Sequence, residues 1–452
     1  MPYNTEEDIA IIGYWCRVAG ASSPEEFHHL LVSNKSSIRE VSETELREAG
    51  VQESTFSHPD YRPYRAILED AAYFDNALYR IPPSEARLTD PQHRQFLEIC
   101  HLALESAGID VGEYPSTGVF ATKSSNNYAS SFSDIPGDSL KRFSLEIFNS
   151  VSHLAANVAY RLGCEGPTLT LQNACSSSLA TVHLARQALL SGDCDIALAG
   201  GVSIGWPQHK GYLYVPGSIM SSDGKCCPFS QSASGTVRGE GGGAVVLCRL
   251  ADFRSGVIRG NLKGIIRGSA INNDGSRRMG FTTPAAHGQL NVITKALKNS
   301  GISPKDVSCI EAHGTGTLVG DGIELSALAG VFAENHTSSV WLGSVKANLG
   351  HLDAAAGVIG LIKMVMALER KTIYPLYGFE RFSEECSAHS PKFQVAKEAQ
   401  PWDTDGKRIG GISSFGLGGS NAHILLEESN QPLEIGGGTK QIINRNPKLF
   451  TP

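Results

Sequence analysis

Short, nearly continuous apolar runs alternate along this chain with longer stretches whose apolar residues recur at helical spacing. IAIIG from Ile9, TGVFAT from Thr117, TLTL from Thr168, DIALAGG from Asp195 and GAVVLCRL from Gly243 predict strands. LKGIIRGSAI from Leu262, VSCIEAHG from Val307, VWLGSVK from Val340, GGISSFG from Gly410 and AHILLEE from Ala422 predict a second set. Between them SSSLATVHLARQALL carries Leu179, Val182, Ala185 and Leu189 near one helical face. Strands alternating with helices define the α/β class.

A longer repetition lies over this pattern. TLTLQ leads through a short loop into the helical run after Ser176, and VWLGSVK leads through ANLGH into LDAAAGVIGLIKMVMALE. Each unit sets a reactive residue, Cys175 or His351, at the start of a helix rich in small side chains. Two such units predict halves related by duplication, residues 1–255 and 256–428. Beyond Glu428 the pattern fades into a tail with a triple glycine, read as a linker or covering segment over 429–452.

Composition narrows the choice. A chain of 452 residues, 41% hydrophobic, 19% charged and with 48 glycines fits two fused subdomains or one large α/β fold. A formal charge of −7 and the absence of a lysine–arginine block exclude a nucleic-acid field and an anionic-membrane anchor. The acidic N-terminus does not read as a signal peptide, and GVIGLIKMVMAL, interrupted by Lys363, is too short to span a bilayer. Ten dispersed cysteines without a CxxC pair fit reduced thiols in the cytoplasm, with no zinc site.

Four segments carry chemistry. Cys175 precedes a predicted helix, where free backbone N–H groups and the helix dipole favour thiolate; the alternative is a packing cysteine. His313 follows a strand in IEAHGTGTLVGDGIEL, a loop whose Gly314, Gly316 and Gly320 have GxGxxxG rather than dinucleotide spacing; Asp321 and Glu324 would crowd a pyrophosphate. Lys346 and His351 bracket a turn in KANLGH, and Glu324 is the expected carboxylate partner of the lysine. SSFGLGGSNAH from Ser413 is a glycine-dense turn able to bring backbone N–H groups onto an oxyanion. GVSIG, centred on Ser203, formally matches a serine-hydrolase elbow, but Pro207, Gly211 and Pro216 follow where that motif needs a helix.

One thiol, two histidines, one lysine and a glycine-rich donor loop occur in a fixed order. Through ACSSSLATVHLA, EAHGTGTLVGD, KANLGHLDAAAG and SSFGLGGSNAH, with DPQHRQFLE and VRGEGGGAVVL in support, the chain from Ile9 to Glu428 resembles the β-ketoacyl synthase domains of modular polyketide synthases and fatty acid synthases. The resemblance implies a thiolase-like fold, two similar α/β halves in a five-layer αβαβα arrangement, and a homodimer. It implies decarboxylative Claisen condensation of a Cys175-bound acyl chain with a malonyl-type extender on an acyl carrier protein. His313 and His351 would assist decarboxylation, Lys346 would hold them electrostatically, and Thr315 and Thr317 would bind the pantetheine arm. The N–H groups of Cys175 and Leu417 would form the oxyanion hole, and Asn173 and Leu417 would line the acyl pocket. No metal and no resident cofactor is implied; the phosphopantetheine belongs to the carrier protein, and neighbouring synthase domains are the other expected partners.

Several positions depart from the common pattern of the family. Gln172 and Asn173 replace Asp-Thr, Leu417 replaces a phenylalanine, Cys227 an arginine and Gly322 a proline. Glutamine at 172 points toward mixed peptide–polyketide lines. The alternative within the family is a transacylating ketosynthase that only passes chains on, which usually lacks a histidine. Because carrier proteins in this family are acidic, a basic docking patch is expected, with Arg277 and Arg278 as its candidates.

Overall fold

The computed structural model describes residues 7–132, 139–332, 339–429 and 446–452. Eleven strands form one mixed sheet. They are β1 (Ile9–Val18), β2 (Thr117–Ala121), β3 (Thr168–Thr170), β4 (Ile196–Ser203), β5 (Gly241–Arg249), β6 (Gly264–Asn273), β7 (Cys309–Glu311), β8 (Val340–Gly343), β9 (Phe393–Gln394), β10 (Ile409–Gly416) and β11 (Ser420–Glu428). Each of the ten apolar runs falls on one of β1–β8, β10 or β11. Their order is β9-β8-β7-β10-β11-β6-β1-β5-β4-β2-β3.

That order contains the same motif twice. Outward from the centre, β1-β5-β4-β2-β3 runs antiparallel, antiparallel, parallel, parallel. β6-β11-β10-β7-β8 does the same. The motifs join where Ile9, Ala10 and Ile11 of β1 pair with Ile266, Ile265 and Gly264 of β6.

The helices complete five layers. The principal ones are α1 (Pro91–Ala107), α2 (Leu154–Leu162), α3 (Ser177–Ser191), α4 (Ala286–Ser300), α5 (Leu318–Phe332), α6 (Lys346–Leu349) and α7 (Ala356–Arg370). α1 packs on β1 and β5, and α2 on β2 and β3, covering the outside of the first motif. α4 packs on β6 and β11, with α5 beside it, covering the second. α3 and α7 lie between the motifs, each touching strands of both. This is a thiolase-like αβαβα sandwich. Being walled by sheet on two sides, α7 is buried on every face from Ala356 to Leu368; even Lys363 is 4% exposed, its Nζ 2.6 Å from Glu311 Oε2.

α3 and α7 approach so closely that Gly357 has no room for a side chain. A Cβ there would lie 2.7 Å from Leu179 Cβ and 2.8 Å from Leu179 N. Beside this crossing, buried Ser178 accepts the N–H of Val358 on its Oγ at 3.0 Å, satisfying one of the free donors of α7's first turn.

These facts bear on three of the readings above. β1 extends past its apolar run to Val18, its backbone pairing with β5 as far as Gly241, while Tyr14 and Arg17 bond to Glu369 and Glu98. Ser203 ends β4, paired with Gly241, and no helix follows among the described residues before Leu250, so the hydrolase elbow is not formed. Of the tail, 430–445 lie outside the described residues, while Lys448 and Leu449 pair with Phe74 and Tyr73, and the carbonyl of Phe450 accepts from Arg94.

Gly357→Ala is expected to lower stability by about 1–3 kcal/mol, because the methyl must push apart two helices clamped between sheets. Urea unfolding measures it. Unchanged stability would mean that the helices are free to separate.

Candidate functional site

Cys175 sits in a tight turn between β3 and α3. The chain turns through Ala174 in the left-handed region (φ 50°), and Ala174–Ser176 form a 3-10 turn that runs into α3. The hydroxyls after the cysteine lock this turn. Asn173 N donates to Ser177 Oγ at 2.7 Å, Ser176 Oγ to Asn173 O at 2.9 Å, and Ser177 Oγ to Ala174 O at 2.6 Å. From the other motif, Ser414 Oγ donates to Cys175 O at 2.9 Å.

The end of β10 closes against the same turn. A Cβ on Gly416 would lie 2.6 Å from Asn173 O, so only glycine allows this approach. Gly418 (φ 98°) and Gly419 (φ 87°) then reverse the chain into β11, leaving Leu417 at the tip. The backbone N–H groups of Leu417 and of Cys175 itself lie close enough to the sulfur to favour its thiolate. Asn173 Oδ1 accepts from Ser420 Oγ at 2.6 Å, which ties its side chain to β11.

His313 lies in the loop between β7 and α5, and two carboxylates from α5 hold that loop by its amides. Glu324 accepts the N–H of His313 and of Gly314, each at 2.7 Å. Asp321 accepts those of Thr315 at 3.0 Å, Gly316 at 3.2 Å and Phe229 at 2.7 Å. Burial pushes both carboxyls up to about 7 against the pull of these donors. Amides that a pyrophosphate would need are thus already taken, and the dinucleotide reading falls. The hydroxyls of Thr315 and Thr317 bond to each other at 2.9 Å on the same loop.

Lys346 is 3% exposed and donates from Nζ to His313 O at 2.5 Å. The expected ion pair with Glu324 is absent among the described residues; that carboxylate is turned to the loop amides. Burial lowers the lysine pKa, and the charges of Glu311 and Glu324 oppose the shift. Glu311 is itself fixed by Lys363 and by the N–H of Val345 at 2.6 Å.

His351 stands beside His313, with ring centroids 5.6 Å apart and planes at 81°. Its Nδ1 accepts the N–H of Asp353 at 3.1 Å. An amide N–H only donates, so the ring proton resides on Nε2. Desolvation, then Lys346, then Arg238 push His351 down to about 3. Desolvation, Lys346 and His351 hold His313 well below the usual range. Both rings are therefore neutral near pH 7.

The two helix starts match, with one correction. Asp353 (φ 45°) opens the 3-10 turn before α7 as Ala174 opens the one before α3. The position equivalent to Cys175 is therefore Ala354, and His351 lies three residues earlier. The thiol itself departs from expectation more strongly. Burial and the Asp353 carboxylate push Cys175 up to about 11, outweighing the N–H groups of Leu417 and Cys175 and the charge of Lys346. The N–H groups at the helix start act in the expected direction and are too weak to prevail. All ten cysteines are free thiols; Cys175 and Cys309 are the two not buried.

The site thus gathers Cys175, His313, His351, Lys346, Leu417 and Asn173, with Thr315 and Thr317 on the adjoining loop. Sequence reasoning passed over the structural roles of Asp321, Glu311, Ser178 and Asp353. Their signal was available, since carboxylates and a serine packed among glycines and alanines must find polar partners.

A thiolase-like sandwich with a cysteine and two histidines at the meeting of its central helices defines a class of acyl-transferring condensing enzymes. The chain belongs to the β-ketoacyl synthase family: the family model for the N-terminal domain of β-ketoacyl synthase matches residues 6–252 and that for the C-terminal domain residues 263–380. Within it the chain is similar to a phenolphthiocerol/phthiocerol polyketide synthase polypeptide of Mycobacterium tuberculosis, with 42% identity over 437 residues. The match covers 94% of this chain and 29% of that protein, so the chain spans under a third of its relative's length. Among solved structures it is similar to ketosynthase twelve of the bacillaene polyketide synthase from Bacillus amyloliquefaciens (35% identity, TM-score 0.88, covering 95% of this chain and 76% of that one). It is also similar to the module 6 ketosynthase of the bacillaene synthase from Bacillus subtilis 168 (38%, TM-score 0.82, 94% and 72%). The chain is a ketosynthase domain of the polyketide synthase type, an acyltransferase of the 3-oxoacyl synthase class. Among the described residues no helix is long and apolar enough to cross a membrane.

A thiol this high in pKa reacts with iodoacetamide through a small thiolate fraction. Alkylation at Cys175, taken as the difference from Cys175→Ala, should rise about tenfold per pH unit from pH 7 to 10. A plateau near pH 7 would show a standing thiolate.

Proposed function

We propose that this domain catalyses the elongating condensation, not chain transfer alone. Cys175 takes an acyl group from the phosphopantetheine thiol of an acyl carrier protein, releasing that thiol. A malonyl-type extender on a carrier protein then loses carbon dioxide. Its enolate attacks the Cys175 thioester, expels the Cys175 sulfur and leaves a β-ketoacyl chain on the carrier.

The observation that carries this reading is the state of the imidazoles. A neutral ring with its proton on Nε2, beside a second neutral ring and near the thiol, donates a hydrogen bond to the thioester oxygen as that oxygen gains charge. Such a donor stabilises the transition state more than the ground state, which is what decarboxylation requires. Lys346 fixes His313 through its carbonyl, and its charge disfavours protonation of either ring. The N–H groups of Cys175 and Leu417 receive the oxyanion of the acyl-transfer intermediate. Thr315 and Thr317 bind the pantetheine arm, Asn173 and Leu417 face the acyl chain, and Glu324 supports the loop that carries His313.

The remaining parts of the reading concern context. The units 1–255 and 256–428 act as halves of one catalytic body, and the domain works as a homodimer in the cytoplasm beside other synthase domains in polyketide or mixed peptide–polyketide assembly. No cofactor is bound by the chain. Arg277 is exposed, while Arg278 lies over Phe281 at 5.0 Å in a loop bordering Gly418 and Gly419. That loop offers positive charge to an acidic carrier beside the Leu417 turn.

Cys175→Ala is expected to abolish acyl loading, and Cys175→Ser to leave weak loading at most, by intact-protein mass. His313→Ala should still load but lose condensation by about 10²–10³-fold, read as carbon dioxide release from a malonyl carrier protein. Loss of loading with normal decarboxylation would reverse these roles. Wild-type loading without any condensation, across a panel of acyl chains, would make the domain a transacylase.

A further inference from the structure

The first step needs a base. A neutral thiol must lose its proton as it attacks a thioester, yet the imidazole whose tautomer is fixed, His351, presents a proton on Nε2 and cannot receive one there. Nδ1 of His313 is buried with no hydrogen-bond partner, and among the described residues neither histidine bonds to Cys175 Sγ. Lys346 is engaged with a carbonyl.

One side chain does reach the sulfur. Cys175 Sγ lies 3.9 Å from Asp353 Oδ1, at the long end of thiol hydrogen bonding. Among the described residues this is the side-chain hydrogen bond that Asp353 makes. The carboxylate is not buried, so it meets no large desolvation cost. Pseudo-symmetry explains how it arrives there. The turns before α3 and α7 each begin with a left-handed residue and pack against each other, and Asp353, the first residue of its turn, meets Cys175, the second residue of the other. On one side that pairing sets a carboxylate against a thiol. The backbone of the same residue does a second task, since its N–H fixes the tautomer of His351.

We propose that Asp353 is a further catalytic residue, the general base that accepts the Cys175 proton during acyl loading. As the sulfur bonds to the thioester carbonyl carbon, the S–H proton moves to Oδ1, and the carbonyl electron pair moves onto the oxygen held by the N–H groups of Cys175 and Leu417. When the intermediate collapses, the bond to the pantetheine sulfur breaks, and that sulfur takes the proton back from Asp353. The carboxylate ends as it began, and no other reactant is needed. The same negative charge opposes a standing thiolate. This inference rests on Cys175 being the acylated residue.

The groups facing this pair are Cys175 on the turn before α3, Asp353 and His351 before α7, Lys346 on α6 and His313 after β7, with Arg238 beside His351. Asp353→Asn keeps the size of the side chain, and asparagine accepts the left-handed conformation. It removes both the base and the charge, and these have opposite consequences. Loading from an acyl carrier protein should fall about 100-fold. Its rate should then rise with pH in proportion to thiolate, where the wild type shows a flatter profile. Alkylation by iodoacetamide, which uses preformed thiolate, should instead become several-fold faster at pH 7.5, with the eight buried cysteines still unlabelled as proof of folding. A merely structural residue would move both rates in one direction. If Asp353→Asn loads as fast as the wild type while alkylating faster, the carboxylate is a restraint and not the base, and the inference fails. If Cys175→Ala also loads, the nucleophile assignment fails first.

Discussion

The close meeting of α3 and α7 is the constraint on which the rest depends. Two motifs of the same strand order each send a buried helix into a shared central layer, and the helices touch where Gly357 leaves no side chain between them and Leu179. The 3-10 turns that open the two helices pack against each other there. Cys175 comes from one turn, and His351 and Asp353 come from the other. β10, lying over this meeting point, contributes Ser414 to the carbonyl of Cys175, and the turn after it brings the N–H of Leu417 toward the sulfur. Loosening the crossing would move all of these groups at once, because none is placed by its own loop alone.

Burial at that meeting point then decides the protonation states. Desolvation is the largest cause behind the shifts of Cys175, His313, His351 and Lys346. For the thiol it outweighs two N–H donors and a nearby ammonium, and for the histidines the ammonium adds to it. A site made largely of neutral groups suits a reaction whose charge appears only transiently on thioester oxygens. Donors that are fixed and uncharged cost little to hold in a poorly solvated place and act when that charge develops. The one cation in the quartet is held by a carbonyl, with Glu311 and Glu324 near enough to act on it. Those carboxylates serve chiefly as acceptors for Val345, His313 and Gly314, so the electrostatics of the site and the shape of its loops are one construction.

The regular frame was legible because both motifs bury their strands between helix layers. Runs such as IAIIG and the IALAGG of β4 are apolar on both faces and admit few other readings. The elements that were harder to read carry polar residues inside: the N-cap and first turns of α1 include Asp90, Gln92, His93, Arg94 and Gln95, all buried. Cys175, His313, His351 and Lys346 were legible because each stands in a glycine- or alanine-rich stretch where a reactive group is conspicuous. Their partners were not, since pairing depends on register and on which way a carboxylate turns. Glu324 was assigned to Lys346 on chemical grounds, and the fold gives it two amides instead. The equivalence of Cys175 with His351 failed for a similar reason, because the repeat is one of backbone turns, and the left-handed residues that mark it are an alanine and an aspartate.

The most direct test of the account is the protonation state of His351 in the resting domain. Imidazole nitrogen chemical shifts of protein labelled at histidine, with the His351 signals assigned by comparison with a His351→Gln variant, report tautomer and charge together. The account predicts a neutral ring protonated at Nε2 and no titration between pH 5 and 8. A ring protonated at Nδ1, or one that gains charge with a midpoint near 6.5, would contradict it.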